Sequence, residues 1–448
     1  MEQNQPAIQP QESAEPKSPN WFRKGQVLEG LFCEEFVEGR QLIYFGRCFF
    51  TEHGRLEDEA ELKEEVFHAI KHYVAVGLAH KVNSILETLK ILCQVKDFQP
   101  LEEFIHLENG MLYEDGATFA VATDCMPVQS RFPIRYNPDA PHPQRWLDFL
   151  HGLLEPEDIM TLQEFIGYCF LPTNKAQKMM IIKGKGGEGK SVVGAVLRDL
   201  FGVNMKDGSI TKIAENRFAR ADLEYIHLLI DDDMNMEALK QTNYIKSLVT
   251  ANGKVDLEKK GKQSYQGYMF ARLLGFSNGS LQALYDKSDG FYRRQLILTT
   301  LDKPKDRKDD PNLKNKLIKE REGIFLWAME GLKRLRLNGW KFSESPKSRT
   351  ARLLAQVEDN NQIAFLRSQG YIRFEPEASI SSRELYGIYT LWCEENAVAP
   401  VKARTMSEYL LSHLNQYGLR YDYNCVNSAG RRVRGFKGIA AIIHSRAG

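Results

Sequence analysis

Gly184-Lys185-Gly186-Gly187-Glu188-Gly189-Lys190-Ser191 reads G-x-x-x-x-G-K-S and follows the apolar run Met179-Met180-Ile181-Ile182. A phosphate-binding loop belongs at such a turn, between a buried strand and a helix. Glycines let successive backbone N–H groups converge on one point, and the next helix, over 192–200, adds the partial positive charge of its N-terminus. The N–H groups of Gly184, Gly186, Gly187, Glu188, Gly189, Lys190, Ser191 and Val192 form the expected cradle. Lys190 reaches the β- and γ-phosphates, and the Ser191 hydroxyl ligates Mg²⁺. A glycine-rich surface turn with an incidental lysine is the plain alternative, but it leaves the apolar strand before and the helical pattern after without a reason. The stretch implies binding of a nucleoside triphosphate, with ATP and Mg²⁺ the expected cofactors.

The 448 residues allow two or three domains. A formal net charge of +1 excludes a polybasic nucleic-acid coat, so any such contact must come from local basic features. Cys33, Cys48, Cys93, Cys125, Cys169, Cys393 and Cys425 contain no C-x-x-C pair. Neither a zinc ribbon nor a disulfide framework is expected, and a reducing cytosol fits. Residues 1–20, rich in Gln, Pro, Glu and Ser, read as a disordered tail rather than a signal peptide. No apolar run approaches membrane-spanning length, so no membrane partner is expected.

Working outward, the fold class expected is α/β. Residues 21–172 read as a mostly helical N-terminal domain, with an aromatic, strand-like patch at Leu42-Ile43-Tyr44-Phe45 and Cys48-Phe49-Phe50, helical periodicity over 57–95, a hairpin at Asn109-Gly110 and two helices over 144–154 and 157–170. Residues 173–305 alternate strands and helices. The strand candidates are 179–182, 226–230, 270–276 and 295–299, apolar runs ending at polar positions as in a parallel sheet with its site at the strand ends. Residues 306–375 read as a helical continuation, with Phe325, Ala328, Leu332 and Leu335 in one stripe. Residues 376–448 offer a helix over 382–396, another over 404–417, and a hairpin about 427–430, the order of a winged helix.

Leu228-Leu229-Ile230 runs into Asp231-Asp232-Asp233. Phosphoryl transfer needs one acid for Mg²⁺ and a neighbour to orient and deprotonate water. Asp231 is assigned to the metal and Asp232 to the water, with Asp233 the alternative to either; an acidic helix-capping turn is the plain reading. Phe276-Ser277-Asn278-Gly279 places Asn278 at a strand tip, where its amide can donate to the γ-phosphate or the attacking water; a turn-forming Asn before Gly is the alternative. Arg294, and second Arg293, are poorly placed for their own loop but suit an arginine finger crossing a subunit boundary. An ion pair with the Asp286 and Asp289 neighbourhood is the structural alternative. Lys259, Lys260 and Lys262 sit at the tip of a hairpin-like stretch broken by Gly261; they read as DNA contacts or as a solvated loop. Arg431, Arg432, Arg434 and Lys437 alternate along a hairpin arm, as in a wing tracking a phosphate backbone.

Together these residues resemble the helicase part of the phage and plasmid DNA primase–helicase family, within superfamily 3 helicases of the AAA+ class. Before the motor, the likeness is carried by Ile105-His106-Leu107-Glu108-Asn109-Gly110, Tyr136-Asn137-Pro138-Asp139-Ala140, Trp146-Leu147-Asp148-Phe149-Leu150 and Leu162-Gln163-Glu164-Phe165-Ile166-Gly167-Tyr168. After it stand Leu385-Tyr386-Gly387-Ile388-Tyr389-Thr390-Leu391-Trp392-Cys393 and Gly435-Phe436-Lys437-Gly438-Ile439. The resemblance implies an AAA+ phosphate-loop motor with a parallel central sheet, followed by a winged helix. It makes 184–191 motif A, Asp231–Asp233 motif B, the lysine hairpin the DNA-contacting motif, Asn278 motif C and Arg294 the trans-acting finger. It further implies a hexameric homo-oligomer moving 3′ to 5′ on single-stranded and forked DNA in the cytoplasm of a bacterial host. Three aspartates stand where an acidic pair is usual, so the register of their two roles stays open. With no zinc-ligand cluster and a helical module filling the residues before the motor, a helicase lacking its own primase is expected, served by separate primase or replisome proteins. An ATP-regulated initiator that assembles at an origin without unwinding is the second reading, and a small-molecule kinase the third.

Overall fold

The structure is a computed structural model that describes residues 19–56, 58–98, 103–121, 127–234, 239, 242–251, 253–261, 263–278, 289–304, 309–426 and 430–442. The chain divides into two compact units, one of residues 1–137 with Gly202–Asn204, the other of the remainder.

In the first unit, helices Glu29–Val37, Ala60–Ile70 and Leu78–Leu92 accompany short antiparallel strands in three small sheets. The helix stripe Val66, Ile70, Ile85 and Leu89 is fully buried and packs with Phe32 and Phe49 in one core. Phe104–Leu107 and Gly110–Tyr113 pair as a hairpin around Asn109. The unit ends at Asn137 and mixes strands with helices, among them Ile43–Phe45 and Cys48–Thr51 in the aromatic patch and the hairpin at Asn109-Gly110.

The second unit is built on a five-stranded parallel sheet. Its strands are β1 (Met179–Lys183), β2 (Met205–Asp207), β3 (Leu228–Asp231), β4 (Arg272–Ser277) and β5 (Gln295–Thr299), in the spatial order β2-β3-β4-β1-β5. The Met179-Met180-Ile181-Ile182 run is wholly buried because both faces are covered, as a parallel sheet requires. On one face Met179, Ile181, Leu229 and Leu273 pack against Ile210, Ile213, Phe291 and Tyr292. On the other lies helix Lys190–Phe201, drawn close by Gly194, where a Cβ would stand 3.0 Å from the Phe276 ring. The four strands expected from sequence are present. β2, Met-Lys-Asp, has no apolar run to betray it.

Because β4 to β5 crosses over β1, the end of β1 lies between the ends of β4 and β5. Gly184 N–H donates to the Ser277 carbonyl at 3.0 Å, and Thr300 N–H donates to the Lys183 carbonyl at 2.8 Å. The strand ends that carry the sequence motifs are thereby tied together.

Helices Pro156–Cys169 and Arg321–Leu337 cross closely beneath the sheet, with Phe325, Ala328, Leu332 and Leu335 all buried. Gly167 and Gly331 permit the approach: a Cβ at Gly331 would lie 2.6 Å from the Gln163 carbonyl group. Glu164, fully buried, accepts from Arg334 Nε at 2.6 Å and from Ser343 N and Oγ at 2.7 Å each. Gly331→Ala forces these backbones apart, and overpacking of this kind costs about 1–3 kcal/mol. The expected result is a fall in Tm of several degrees, read by a thermal melt; an unchanged melt would refute the tight crossing.

The chain ends in helix Asn361–Arg367, strand Ile372–Ser381, helices Ser382–Glu395, Ala403–Ser412 and Leu414–Tyr417, and strands Arg420–Val426 and Arg432–Ala441. The last strand is central to a three-stranded antiparallel sheet. Phe365, Leu385, Ile388, Met406, Phe436 and Ile439 form its core. Ser381 caps the first helix of the helix–helix–hairpin order by accepting from Glu384 N–H at 3.1 Å. Strand Ile372–Ser381 escaped the sequence reading, since its middle is exposed and its register shifts between Glu375 and Ser379, around Pro376. Among the described residues no helix is long and apolar enough to cross a membrane.

Candidate functional site

The loop after β1 turns through three glycines in the left-handed region, Gly186 (φ 112°), Gly187 (φ 82°) and Gly189 (φ 117°), a backbone closed to side chains with a Cβ. At Gly184 a Cβ would meet Thr300 Oγ1 at 2.4 Å and Lys190 Nζ at 2.7 Å. This cradle fits a phosphate chain. Helix Lys190–Phe201 starts at the lysine and aims its N-terminus into the turn. Within the loop, Glu188 is 4% exposed; its carboxylate accepts from Gly186 N–H at 2.8 Å and from Lys190 Nζ at 3.0 Å. Burial pushes this carboxyl up, but backbone N–H donors and Lys190 outweigh it and hold it below the usual range. The lysine therefore rests on an internal anion. Ser191 is exposed.

Asp231 and Asp232, as neighbours at a strand end, point to opposite faces of the sheet. Asp231 is buried on the face away from helix Lys190–Phe201, and its Oδ2 accepts from Ile210 N–H at 2.7 Å at the start of helix Ile210–Glu215. Burial raises its pKa, only partly offset by the N–H groups of Ile210 and Asp233. Asp232 lies on the other face, where an added Gly194 Cβ would be 3.3 Å from its Oδ1, and it ion-pairs with Arg198 on the phosphate-loop helix. Arg198 also grips Asp207, at the end of β2, through Nε at 3.0 Å and Nη2 at 2.6 Å. Asp233 is exposed. Asp232→Asn is therefore expected to abolish ATP turnover, whereas Asp231→Asn keeps the Ile210 bond and is expected to retain most activity. Because folding raises the Asp231 pKa, the cost of ionising it is absent below about pH 4 and grows as pH rises from there through the folded value. Asp231→Asn should match the wild type in acid and melt higher at neutral pH. Loss of turnover in Asp231→Asn alone would reverse the two roles.

The loop opens into a cleft of about 790 Å³ lined by residues 186–192 and Asn278, and also by Arg145, Phe149, Asp310 and Lys316. A volume of that order admits a nucleotide. Asn278, exposed just past β4, thus shares one cleft with the loop. Arg145 and Phe149 come from helix Gln144–His151, and Lys316, paired with Asp310 at 2.6 Å, from helix Leu313–Ile318. Sequence reading missed these lining residues because they lie far from the loop in the chain and match no motif.

Arg293 and Arg294 precede β5, at the sheet edge opposite the loop. Arg294 is half-buried and donates to the Gly290 carbonyl, while Arg293 is exposed. Strands Lys254–Leu257 and Tyr265–Tyr268 form an antiparallel hairpin, with Gly261 (φ 73°) in its connection. Lys259, just past the first strand, turns in toward buried Glu224 at 3.9 Å and lies 5.6 Å over the Tyr265 ring at the loop end of the hairpin, whereas Lys260 is exposed. Lys262 lies outside the described residues. Arg431, Arg432, Arg434 and Lys437 are exposed on or beside the last strand; Arg434 stands 5.8 Å from the Tyr423 ring, and Lys437 3.5 Å from Asp422.

Residues 182–294, from the end of β1 to Arg294, match the model of a family of unknown function, DUF5906. Among solved structures, an A-form apo structure of the NrS-1 C-terminal region superposes with a TM-score of 0.54 at 11% identity, covering 91% of this chain and 98% of that one. A further apo structure of the same region gives a TM-score of 0.53 at 12% identity, covering 95% and 100%. At these identities the likeness speaks for a shared fold over nearly the whole chain.

Proposed function

We propose that this chain is an ATP-dependent DNA helicase of the AAA+ type, acting as a ring of identical subunits in the replication of a phage or other mobile element. The observation that carries the reading is the glycine cradle with Lys190 at the end of a central parallel strand, sharing its cleft with Asn278. The helix–helix–hairpin order of the C-terminal sheet supports a winged helix, and the fold shared with the NrS-1 C-terminal region supports placing the motor and its flanking parts in one architecture.

In this mechanism the loop N–H groups and Lys190 take the phosphates, and Lys190 leaves Glu188 as they enter. Ser191 and Asp232 would hold Mg²⁺, whose charge would neutralise the phosphate oxygens. Asn278 donates to the attacking water or γ-phosphate, and Asp233, exposed beside the strand end, orients and deprotonates that water. Arg294 or Arg293 arrives from the adjacent subunit to stabilise the charge that develops on the transferred phosphoryl group. The lysine hairpins grip backbone phosphates of one strand in the pore.

Steady-state ATP hydrolysis with and without single-stranded DNA, paired with displacement of a labelled strand from a forked duplex, tests the proposal. Several-fold stimulation and ATP-dependent displacement are expected. A monomer that hydrolyses ATP at one rate regardless of DNA refutes it. The exposed cations of the last strand favour a second reading, an initiator that binds one duplex site; footprinting at a single sequence without displacement would select it.

A further inference from the structure

A second open cavity, of about 760 Å³, lies where helices Ile210–Glu215 and Arg217–Ala221 meet helix Asn243–Thr250. The first of these helices begins just after β2, so the cavity stands on the same edge of the parallel sheet as the phosphate loop. Its wall holds two guanidinium–ring contacts. Arg220 lies 3.1 Å from the Tyr244 ring centroid, and Arg217 lies 5.0 Å from that of Phe218. Arg220 is pinned beside Tyr244 by donating to the Ile213 and Ala214 carbonyls at 3.1 and 3.2 Å. Tyr244 is 41% exposed, the Arg217 side chain is 65% exposed, and Lys212 is exposed at the rim. Among the described residues of the lining, Glu215 supplies one carboxylate against three cations.

We propose that this cavity is a second binding site for single-stranded nucleic acid, in which the ring and guanidinium planes receive unpaired bases and Lys212 and Arg217 receive backbone phosphates. Flat cationic and aromatic surfaces suit unstacked bases, whose π-faces they extend, and need no particular sequence. An acidic peptide would use the cations but not the planes, and a lone phosphate would leave most of the volume empty. Arg217 Nε also pairs with Glu258 at 3.2 Å, at the end of hairpin strand Lys254–Leu257 and next to Lys259. A strand leaving the cavity thus passes directly to the hairpin lysines. This inference rests on the proposed DNA-dependent function and adds the element that holds bases beside the one that holds phosphates.

The test is fluorescence anisotropy of a labelled oligo(dT) on the full chain with a non-hydrolysable ATP analogue, over a series of salt concentrations. The double variant Lys212→Ala/Arg217→Ala is expected to bind about tenfold more weakly, with the salt slope flattened by about 0.7 for each phosphate left without its cation. Tyr244→Leu is expected to lose about tenfold with the slope unchanged, since a stack and not a charge is removed. Lys212→Gln keeps the aliphatic stem at an exposed position and should flatten the slope by about half as much as the double variant. Wild-type affinity and slope in these proteins overturn the site while leaving the helicase reading intact, and failure of the wild type to bind the oligonucleotide at all overturns both. Weaker binding that tracks a lower melting point or lost assembly also counts against the site. Competition by poly-glutamate as effective as by oligo(dT) would replace the nucleic acid with an acidic peptide.

Discussion

Lys190→Ala is expected to lower kcat for ATP by at least about 100-fold, the scale on which one preorganised donor to a developing negative charge acts. Here the loss has a second component. The Lys190 and Glu188 side chains are only 10% and 5% exposed and lie 3.0 Å apart. Removing the ammonium leaves the Glu188 carboxylate buried in the turn, still held by Gly186 N–H, where phosphate oxygens would lie. A negative charge in that place opposes the incoming γ-phosphate, so Lys190→Ala should weaken nucleotide binding as well as turnover. The double variant Glu188→Ala/Lys190→Ala separates the two effects. Binding of a fluorescent ATP analogue should recover toward wild type while hydrolysis stays lost. Equal binding in single and double variants would show that Glu188 does not oppose phosphate. The carboxyl is held below its usual range, so it is ionised at physiological pH and the competition persists there. Lys190→Arg should also fail, because a planar fork cannot replace a compact ammonium inside this turn.

Arg294→Ala is expected to assemble like the wild type and to lose about 1,000-fold in turnover, as removal of an arginine finger does. The placement of the two arginines is the reason the proposed effect is assigned to a neighbouring subunit. They stand before β5, whose five residues span roughly 17 Å, and the phosphate loop lies at the other end of the neighbouring strand. Arg294 is turned back to the Gly290 carbonyl and must be released to cross an interface, whereas Arg293 is already exposed. Mixing decides between them. On the proposed ring, neither Lys190→Ala nor Arg294→Ala subunits are expected to turn over alone, and mixed assemblies are expected to regain activity where an intact loop faces an intact arginine. Native mass measurement with turnover on the same samples reads the outcome. Full activity in Arg294→Ala with loss in Arg293→Ala transfers the role to Arg293, and full activity in both removes the finger.

Much of the fold was legible in the chain because its strong signals are local. The apolar runs of β1, β3, β4 and β5 read as strands buried on both faces, and G-x-x-x-x-G-K-S marks the turn that follows one of them. The stripe Phe325, Ala328, Leu332 and Leu335 revealed its helix by period alone. Weak local signals failed where pairing was non-local. The polar β2 needs its neighbour β3 to be a strand at all, and Ile372–Ser381 is held by the last strand of the chain.

By itself, then, the sequence determined a parallel α/β core with the glycine-rich turn Gly184–Ser191 at its centre, because hydrophobic period and backbone freedom are properties of consecutive residues. It also put Asp231 and Asp232 together at the end of one strand. Only the tertiary structure decided which of them meets the phosphate-loop helix, because that depends on the face the helix covers. It alone turned Lys259 down onto Glu224, and it alone buried Arg272, whose guanidinium donates to the carbonyls of Thr173, Phe270 and Cys169. A long charged side chain takes its direction from partners tens of residues away, and no spacing within its own segment encodes them.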